Sequence, residues 1–282
     1  MGAEYRIALM QLSSEPHWDT NLHRIREHCA SLAGNCDLVV LPENAFCLGS
    51  GETVRRQAHD QAVAVAQIGE LAAAAQAPVL AGGVAIRKGS KISNASLTVD
   101  PNGMLLARYD KVHLFQLHPG TPNEIDETKI YCAGNAPVTF SVAGWTIGVS
   151  ICYDLRFPEL FRAMGPVDIG ICTAAFTDAT GKAHWETLLR ARAIENLCYM
   201  VGVGQCGTNP DTGVRLHGHS VVVDPWGAVV DRLSAQREDI RIATLHADRI
   251  RVSRDQLPAL DNRRLPPGRT SCNPVPGDSR PS

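Results

Sequence analysis

The chain has 282 residues, 44% of them hydrophobic and 20% charged, enough for the core of one large soluble domain. A formal net charge of −2 offers no electrostatic basis for nucleic acid or an anionic membrane surface, no apolar run reaches the roughly 20 residues of a membrane helix, and no secretory leader is visible. Nine cysteines, an odd number scattered from Cys29 to Cys272 without a Cys-x-x-Cys pair, argue against a disulfide framework and a zinc ribbon and for a reduced, cytoplasmic setting.

In chain order, Tyr5 to Gln11 alternates as a strand, and Asp19, Thr20 or Asn21 can cap a helix with Leu22, Ile25, Cys29 and Leu32 on one face. Asp37 to Leu41 is a fully apolar strand, followed at once by Glu43. An Ala-rich helix is expected from about Val54 to Gln76, anchored by Ile68 and Leu71. Strands follow at Val79 to Ile86, Ser96 to Val99 and Met104 to Tyr109, the last two joined by Asp100-Pro-Asn-Gly103, which has the residues of a type I turn. Lys111 comes directly after them.

The second half repeats this order. Trp145 to Ile151 is a β-branched strand, and Pro158 opens a short helix, proline being suited to the first helical position. Val167 to Cys172 is a strand, and Lys182 to Leu197 is a helix with Trp185, Leu188, Leu189, Arg192 and Glu195 at helical spacings. Tyr199 to Val203 and His219 to Val223 are strands, and a second Asp-Pro-x-Gly turn, Asp224 to Gly227, leads into Ala228 to Leu233 and Ile240 to His246. Two halves of this kind predict an α/β fold in which two sheets pack face to face with helices outside, a four-layer α-β-β-α sandwich. We expect a single domain over residues 1–265 and a flexible tail over 266–282, which is rich in proline and polar residues.

Chemistry-bearing residues cluster at strand ends, where open α/β sheets bind ligands. Cys152 follows the strand ending at Ile151, on the turn into the next helix, and reads as a nucleophile. A thiol needs a base or a nearby cation to become a thiolate. Glu43 and Lys111, each just past a strand, can supply both if the three ends converge. Taken singly, each is also an ordinary surface or core residue.

Leu41-Pro-Glu-Asn44, Tyr109-Asp-Lys-Val-His-Leu-Phe115 and Cys152-Tyr-Asp-Leu-Arg-Phe-Pro-Glu-Leu160 together resemble the three signatures of the nitrilase, or carbon-nitrogen hydrolase, superfamily. Ala183 to Glu195, Tyr199 to Gly207 and Gly218 to Gly227 are similar to its Nit amidase branch, and the likeness runs over roughly residues 5–265. The resemblance implies the same four-layer sandwich, a homodimer or higher homo-oligomer, no cofactor and no metal, and catalytic residues Glu43, Lys111 and Cys152. It also implies a second glutamate in the loop before the cysteine strand. Glu127 falls at that place, with Glu124 a competing candidate in the loop 116–126.

The implied reaction is acyl transfer from a small amide. Glu43 takes the thiol proton, Cys152 attacks the carbonyl, and Lys111 with a backbone N–H near Tyr153 stabilises the oxyanion. Cys152-Tyr-Asp is like the amidases, whereas true nitrilases show Cys-Trp-Glu. Val203-Gly-Gln-Cys-Gly207 and Leu257 to Arg264 resemble the group acting on deaminated glutathione, which implies cleavage to 2-oxoglutarate and cysteinylglycine. The alternatives are an omega-amidase acting on 2-oxoglutaramate or another aliphatic amide, and a non-catalytic relative that binds an acyl compound or a partner. Lys182, where relatives often carry proline, and the loop 116–126 are departures from the family pattern and are expected to border the substrate mouth.

Tyr153, Arg156, Phe176 and His184 are candidate substrate-binding residues, Arg156 because a guanidinium pairs bidentately with a carboxylate. Its other reading is an internal pair with Asp154 or Glu159. His113 and His184 are expected to orient their neighbours. His217-x-His219 lacks the third ligand of a catalytic zinc and reads as hairpin packing. Cys172 and Cys206 read as small buried hydrophobes, Trp185 and Trp226 as core or interface residues, and Gly82-Gly83 as a site of close backbone approach.

Overall fold

A computed structural model describes residues 2–117, 120, 125–235 and 237–264. The tail expected over 266–282 and the candidate Glu124 lie outside the described residues. Two sheets carry the fold. The seven-stranded sheet has the order β15 (Asp239–His246), β1 (Glu4–Gln11), β2 (Leu38–Leu41), β3 (Val79–Lys88), β4 (Lys91–Val99) and β5 (Leu105–Asp110), with β8 (Tyr131–Cys132) added beside β4. The six-stranded sheet has the order β14 (Val229–Arg232), β13 (Val221–Val223), β12 (Tyr199–Gly204), β11 (Ile169–Ala174), β10 (Trp145–Ile151) and β9 (Thr139–Val142). A separate pair joins β6 (Gln116–Leu117) to β7 (Ile125–Asp126).

Each sheet has the same plan. Strands β1, β2 and β3 run parallel, as do β10, β11 and β12. Antiparallel strands flank both triplets: β15 and β4–β5 in one sheet, β9 and β13–β14 in the other. The pseudo-repeat read from the chain is thus present in the topology, with one exchange. Strand β15, which the order of elements put with the second half, returns to the edge of the first sheet and pairs along all of β1.

The central strands β2, β11 and β12 are buried along their whole length because both faces are covered, whereas edge strands such as β9 and β14 alternate. On β1, Tyr5, Ile7 and Leu9 join a core shared with Trp145, Ile147 and Val149 of the second sheet. The alternate residues Ala8 and Met10 pack against α1 (Trp18–Ser31) and α3 (Gln61–Ala75). Helices α4 (Pro158–Ala163) and α5 (Asp178–Asn196) follow β10 and β11, and Leu160, Phe161, Trp185 and Leu189 bury their side chains in the shared core. The result is the four-layer α-β-β-α sandwich. Near the carboxyl end of the chain lies α6 (Ala247–Gln256), and none of the described helices is long and apolar enough to cross a membrane.

Three helices differ from the sequence expectation, and α5 begins at Asp178, four residues before the expected Lys182. The first helix begins at Trp18, before the expected caps, and Asn21 turns inward instead, its Nδ2 donating to the carbonyls of Glu15, His17 and Phe46. The expected helix from Val54 to Gln76 is two helices, α2 (Gly51–Arg56) and α3. It breaks because His59 bridges to β3, donating its N–H to Ala85 and accepting from Arg87, which is incompatible with a helical backbone.

The Gly82-Gly83 pair marks where the layers meet. A Cβ at Gly82 would lie 2.0 Å from Thr173 Oγ1 of the opposing sheet, and one at Gly83 would lie 2.3 Å from Asn44 N and 2.5 Å from Glu43 Cγ. Gly83 also has φ +68°, and Gly82 O accepts the N–H of Asn44 at 3.1 Å. Gly83→Ala is therefore expected to cost clearly more than the ~1–2 kcal/mol of a left-handed residue alone. Gly89→Ala, at φ +60° with open space around its Cβ, should cost only about that penalty. Urea denaturation of the two variants checks the difference.

Candidate active site

Glu43, Cys152 and Glu127 line a cavity of about 570 Å³, and Lys111 lies buried against both acids. Glu43 follows β2, Lys111 follows β5, Cys152 follows β10, and Glu127 opens a one-turn 3₁₀ segment (Glu127–Lys129). The structure brings all four together. Lys111 Nζ donates to Glu43 Oε1 at 2.9 Å and lies 3.0 and 2.9 Å from Glu127 Oε1 and Oε2. Its side chain has 0% exposure, so the ammonium depends on these carboxylates for its solvation.

Both acids are in turn tied to the scaffold. Glu43 Oε1 accepts from Asn94 Nδ2 at 3.0 Å, and its Oε2 accepts from Ala175 N, past the end of β11, at 2.9 Å. Glu127 Oε2 accepts the N–H of Phe115 at 2.7 Å. Gln205 Nε2 holds the Glu43 carbonyl at 3.0 Å.

The charges in this cluster shift one another. Burial pulls the Lys111 pKa down, but Glu127, Glu43 and Cys152 together outweigh it and leave the amine well above its usual value, so it stays an ammonium. Burial also raises Glu127 above the usual carboxylate value, against the opposing pull of Lys111. Cys152 is pushed well above an ordinary thiol, first by burial and then by Glu43, with Lys111 acting the other way. The resting thiol therefore keeps its proton.

Cys152 has φ +49°, a left-handed conformation that costs a non-glycine residue energy and is held here by the turn that follows. Asp154, with 0% exposure, anchors that turn. Its Oδ2 accepts from Tyr109 Oη at 2.7 Å and from Ile151 N at 2.9 Å, while Oδ1 accepts from His113 N at 3.0 Å and lies 2.8 Å from His113 Nδ1. The His113 ring stacks on Phe157 at 3.7 Å. Tyr109 and His113 flank Lys111 in the chain, so Asp154 joins the lysine segment directly to the cysteine turn.

Tyr153, Arg156 and Phe176 line the cavity beside Cys152. The Arg156 guanidinium lies 5.9 Å from the Tyr153 ring centre and 5.6 Å from that of Phe176, and its Nη1 donates to His184 Nδ1 at 3.2 Å. Among the described residues Arg156 has no ion pair with Asp154 or Glu159, so the internal pairing considered from sequence is not the one formed. His184 reaches the cavity only through Arg156. Asn94 and the Ala175 N–H were not singled out from sequence, and Asp154 was named only as a candidate partner of Arg156. Asp154 is the acid two residues past the thiol, whereas Asn94 lies among other polar residues of β4 (Ser93, Ser96, Thr98) and carries no such signal. Ala175 acts through its backbone and leaves no signal.

The remaining marked residues have structural places. His217 and His219 lie with ring centres 4.6 Å apart, and a Cβ at Gly181 would meet the His217 ring at 2.3 Å. Among the described residues no group of three potential ligands could hold a metal. Cys172, Cys206 and Trp185 are buried, whereas Trp226 is exposed on its turn.

The carbon-nitrogen hydrolase family matches residues 6–255. A deaminated glutathione amidase of Synechocystis is 38% identical over 273 residues, covering 92% of this chain and 98% of its own length. One of Yersinia enterocolitica is 33% identical over 271 residues, covering 92% and 93%. Among solved structures, a CN-hydrolase superfamily protein of Xanthomonas campestris with an arsenic adduct in its active site superposes with a TM-score of 0.84 at 31% identity, covering 95% of this chain and all (100%) of its own. Nit3 of Saccharomyces cerevisiae, a member of branch 10 of the nitrilase superfamily, gives 0.79 at 29% identity, covering 94% and 98%.

A raised thiol pKa has a direct spectroscopic consequence. The difference in thiolate ultraviolet absorbance between wild type and Cys152→Ser should show no ionisation step below pH 9.0, the ordinary thiol value. A step in the acid or neutral range would mean a preformed thiolate and overturn the electrostatic picture.

Proposed function

The chain belongs to the carbon-nitrogen hydrolase family, whose members act on carbon–nitrogen bonds other than peptide bonds, and from that premise we propose that it is a cysteine-dependent amidase acting on deaminated glutathione. The observation that carries this reading is the convergence of Glu43, Lys111 and Glu127 in one buried charge cluster at the cavity that Cys152 lines. The substrate is supported by the relatives named deaminated glutathione amidase.

In this mechanism Glu43 takes the proton of the Cys152 thiol as sulfur attacks the amide carbonyl. Base and nucleophile must act together because the resting thiol is neutral. Lys111 and a backbone N–H near Tyr153 stabilise the oxyanion, a term worth about 3–4 kcal/mol per donor in comparable sites. Collapse of the tetrahedral intermediate breaks the carbon–nitrogen bond, and Glu43 returns the proton to the leaving amine of cysteinylglycine. Water then attacks the thioester and gives its proton to a carboxylate, either Glu43 or Glu127. The 2-oxo acid leaves and the thiol is restored. Atoms and charges balance without a cofactor.

The acyl part of this substrate ends in a 2-oxo carboxylate. Arg156, aimed across Tyr153 and Phe176, is the group to receive it, with His184 orienting the guanidinium. A cytoplasmic setting belongs to the same reading and is supported by the eight described cysteines, all of them free thiols.

Turnover of deaminated glutathione, 2-oxoglutaramate and simple aliphatic amides is to be compared side by side. Deaminated glutathione is expected to have the highest kcat/KM. Cys152→Ala should abolish hydrolysis with an unchanged thermal midpoint, and Glu43→Gln should lower kcat by about 10²–10⁴-fold. Mass spectrometry should find the acyl group on Cys152. Retained turnover in Cys152→Ala sinks the scheme, and preference for 2-oxoglutaramate reassigns the substrate.

A further inference from the structure

Glu127 sits on a short turn that needs outside support, since a single 3₁₀ turn has almost no stability of its own. Its support can be traced to the opposite rim of the cavity. The turn is backed by α2. Arg55 of α2 donates to the carbonyl of Lys129, and Gly51 lies so close to Ile130 that a Cβ there would come within 2.2 Å of Ile130 Cδ1. Val54 and Ile130 share a small cluster with Cys47 and Tyr131.

The start of α2 is itself held from the second sheet. Asp211 lies in the loop after β12, and its Oδ2 accepts from Ser50 N at 2.9 Å and from Thr53 Oγ1 at 2.6 Å. Ser50 Oγ donates to Thr53 Oγ1 at 3.1 Å and accepts the Thr53 N–H at 3.2 Å, so the carboxylate completes the cap of the helix. Asn209 fixes the carboxylate in turn. Its Oδ1 accepts the N–H groups of Asp211 and Thr212 at 3.0 and 3.2 Å, and its Nδ2 donates to Gly49 O at 3.3 Å. A Cβ at Gly49 would stand 2.8 Å from Asp211 Oδ2, so glycine there is what allows the two loops to meet.

We infer that Asp211 is a positioning residue: a latch that joins loops of the two sheets across the cavity and, through α2, holds the turn that presents Glu127 to Lys111. The inference rests on the proposed amidase reading for its kinetic consequence and on geometry alone for its mechanical one. Hydrogen bonds from Ser50 and Thr53 hold the Asp211 carboxyl below its usual value, so the latch is ionised and closed at neutral pH. Gly49, Ser50, Glu127, Ile130, Asn209 and Thr212 all face the cavity, so the three linked segments form one continuous wall of it.

The test compares wild type, Asp211→Ala and Asp211→Asn as full chains, by hydrogen–deuterium exchange and by steady-state kinetics on deaminated glutathione. Asparagine keeps a carbonyl oxygen able to accept both hydrogen bonds; alanine does not. Asp211→Ala is expected to quicken exchange in residues 127–131, which Asp211 does not touch, as well as in 48–54. It should lower kcat by about tenfold with a smaller change in KM, and Asp211→Asn should recover most of both effects. Faster exchange confined to 48–54, a change in KM alone, or equal losses in both variants that track a lower thermal midpoint would overturn the latch. Should wild type hydrolyse no amide while exchange in 127–131 quickens as expected, the amidase reading fails and the latch stands.

Discussion

One ammonium with no exposed surface, held between two carboxylates, is the constraint to which the rest of the structure conforms. Taking such a group out of water costs several kcal/mol, and stripping away one partner of a buried pair typically costs about 3–5 kcal/mol. Lys111 can stay charged only because Glu43 and Glu127 both reach it, and each acid can stay in place only because the scaffold supplies further donors. Those donors come from β4, from the end of β11 and from the segment after Lys111. The cluster therefore fixes how the two sheets stack, beyond what apolar packing requires. The glycine pair on β3 serves the same end, since any side chain at Gly83 would displace Glu43.

A second buried acid does for the cysteine what the first pair does for the lysine. Asp154 collects donors from Tyr109, His113 and Ile151, and so ties the segment on either side of Lys111 to the turn that bears Cys152. That turn holds Cys152 at positive φ, which is unfavourable for a residue with a Cβ and must be offset by neighbouring bonds. The lysine segment and the cysteine turn are thus joined through a carboxylate separate from the two that hold the amine. A hydrogen-bonded scaffold of this kind can hold donors where charge develops without reorganising during the reaction.

Much of this was legible in the chain, and the reason differs by element. The apolar strands Leu38–Leu41, Trp145–Ile151 and Tyr199–Gly204 were readable because burial on both faces leaves an unbroken apolar run. Cys152 follows such a run directly and Glu43 within two residues, but Lys111 follows a strand holding Arg108 and Asp110, and it is the resemblance of the surrounding motifs that singles out the three together. Long-range pairing was not readable. The Val54–Gln76 segment has a continuous helical composition, and only its pairing to β3 at His59 breaks it. Strand β15 follows the second sheet in the chain, and only its register with β1 assigns it to the first. Arg156 has two acids near it in sequence, yet its nearest charged or aromatic company comes from Phe176 and His184, on and before α5.

The electrostatics of the cluster also decide what kind of thiol chemistry the site can perform. One ammonium faces two carboxylates, so a thiolate at Cys152 would place a third negative charge in the same enclosed space. Burial and Glu43 both oppose that charge, and Lys111 is already shared between the two acids. That opposition favours a neutral resting thiol over a standing thiolate–cation pair. In the proposed mechanism the proton leaves sulfur as the carbonyl carbon arrives, when the new negative charge passes to the substrate oxygen and the carboxyl that took the proton becomes neutral. The net charge of the cluster is then the same as at rest, one negative charge having moved from a carboxylate to the substrate oxygen, so the proposed step asks the enclosed site to hold no additional charge.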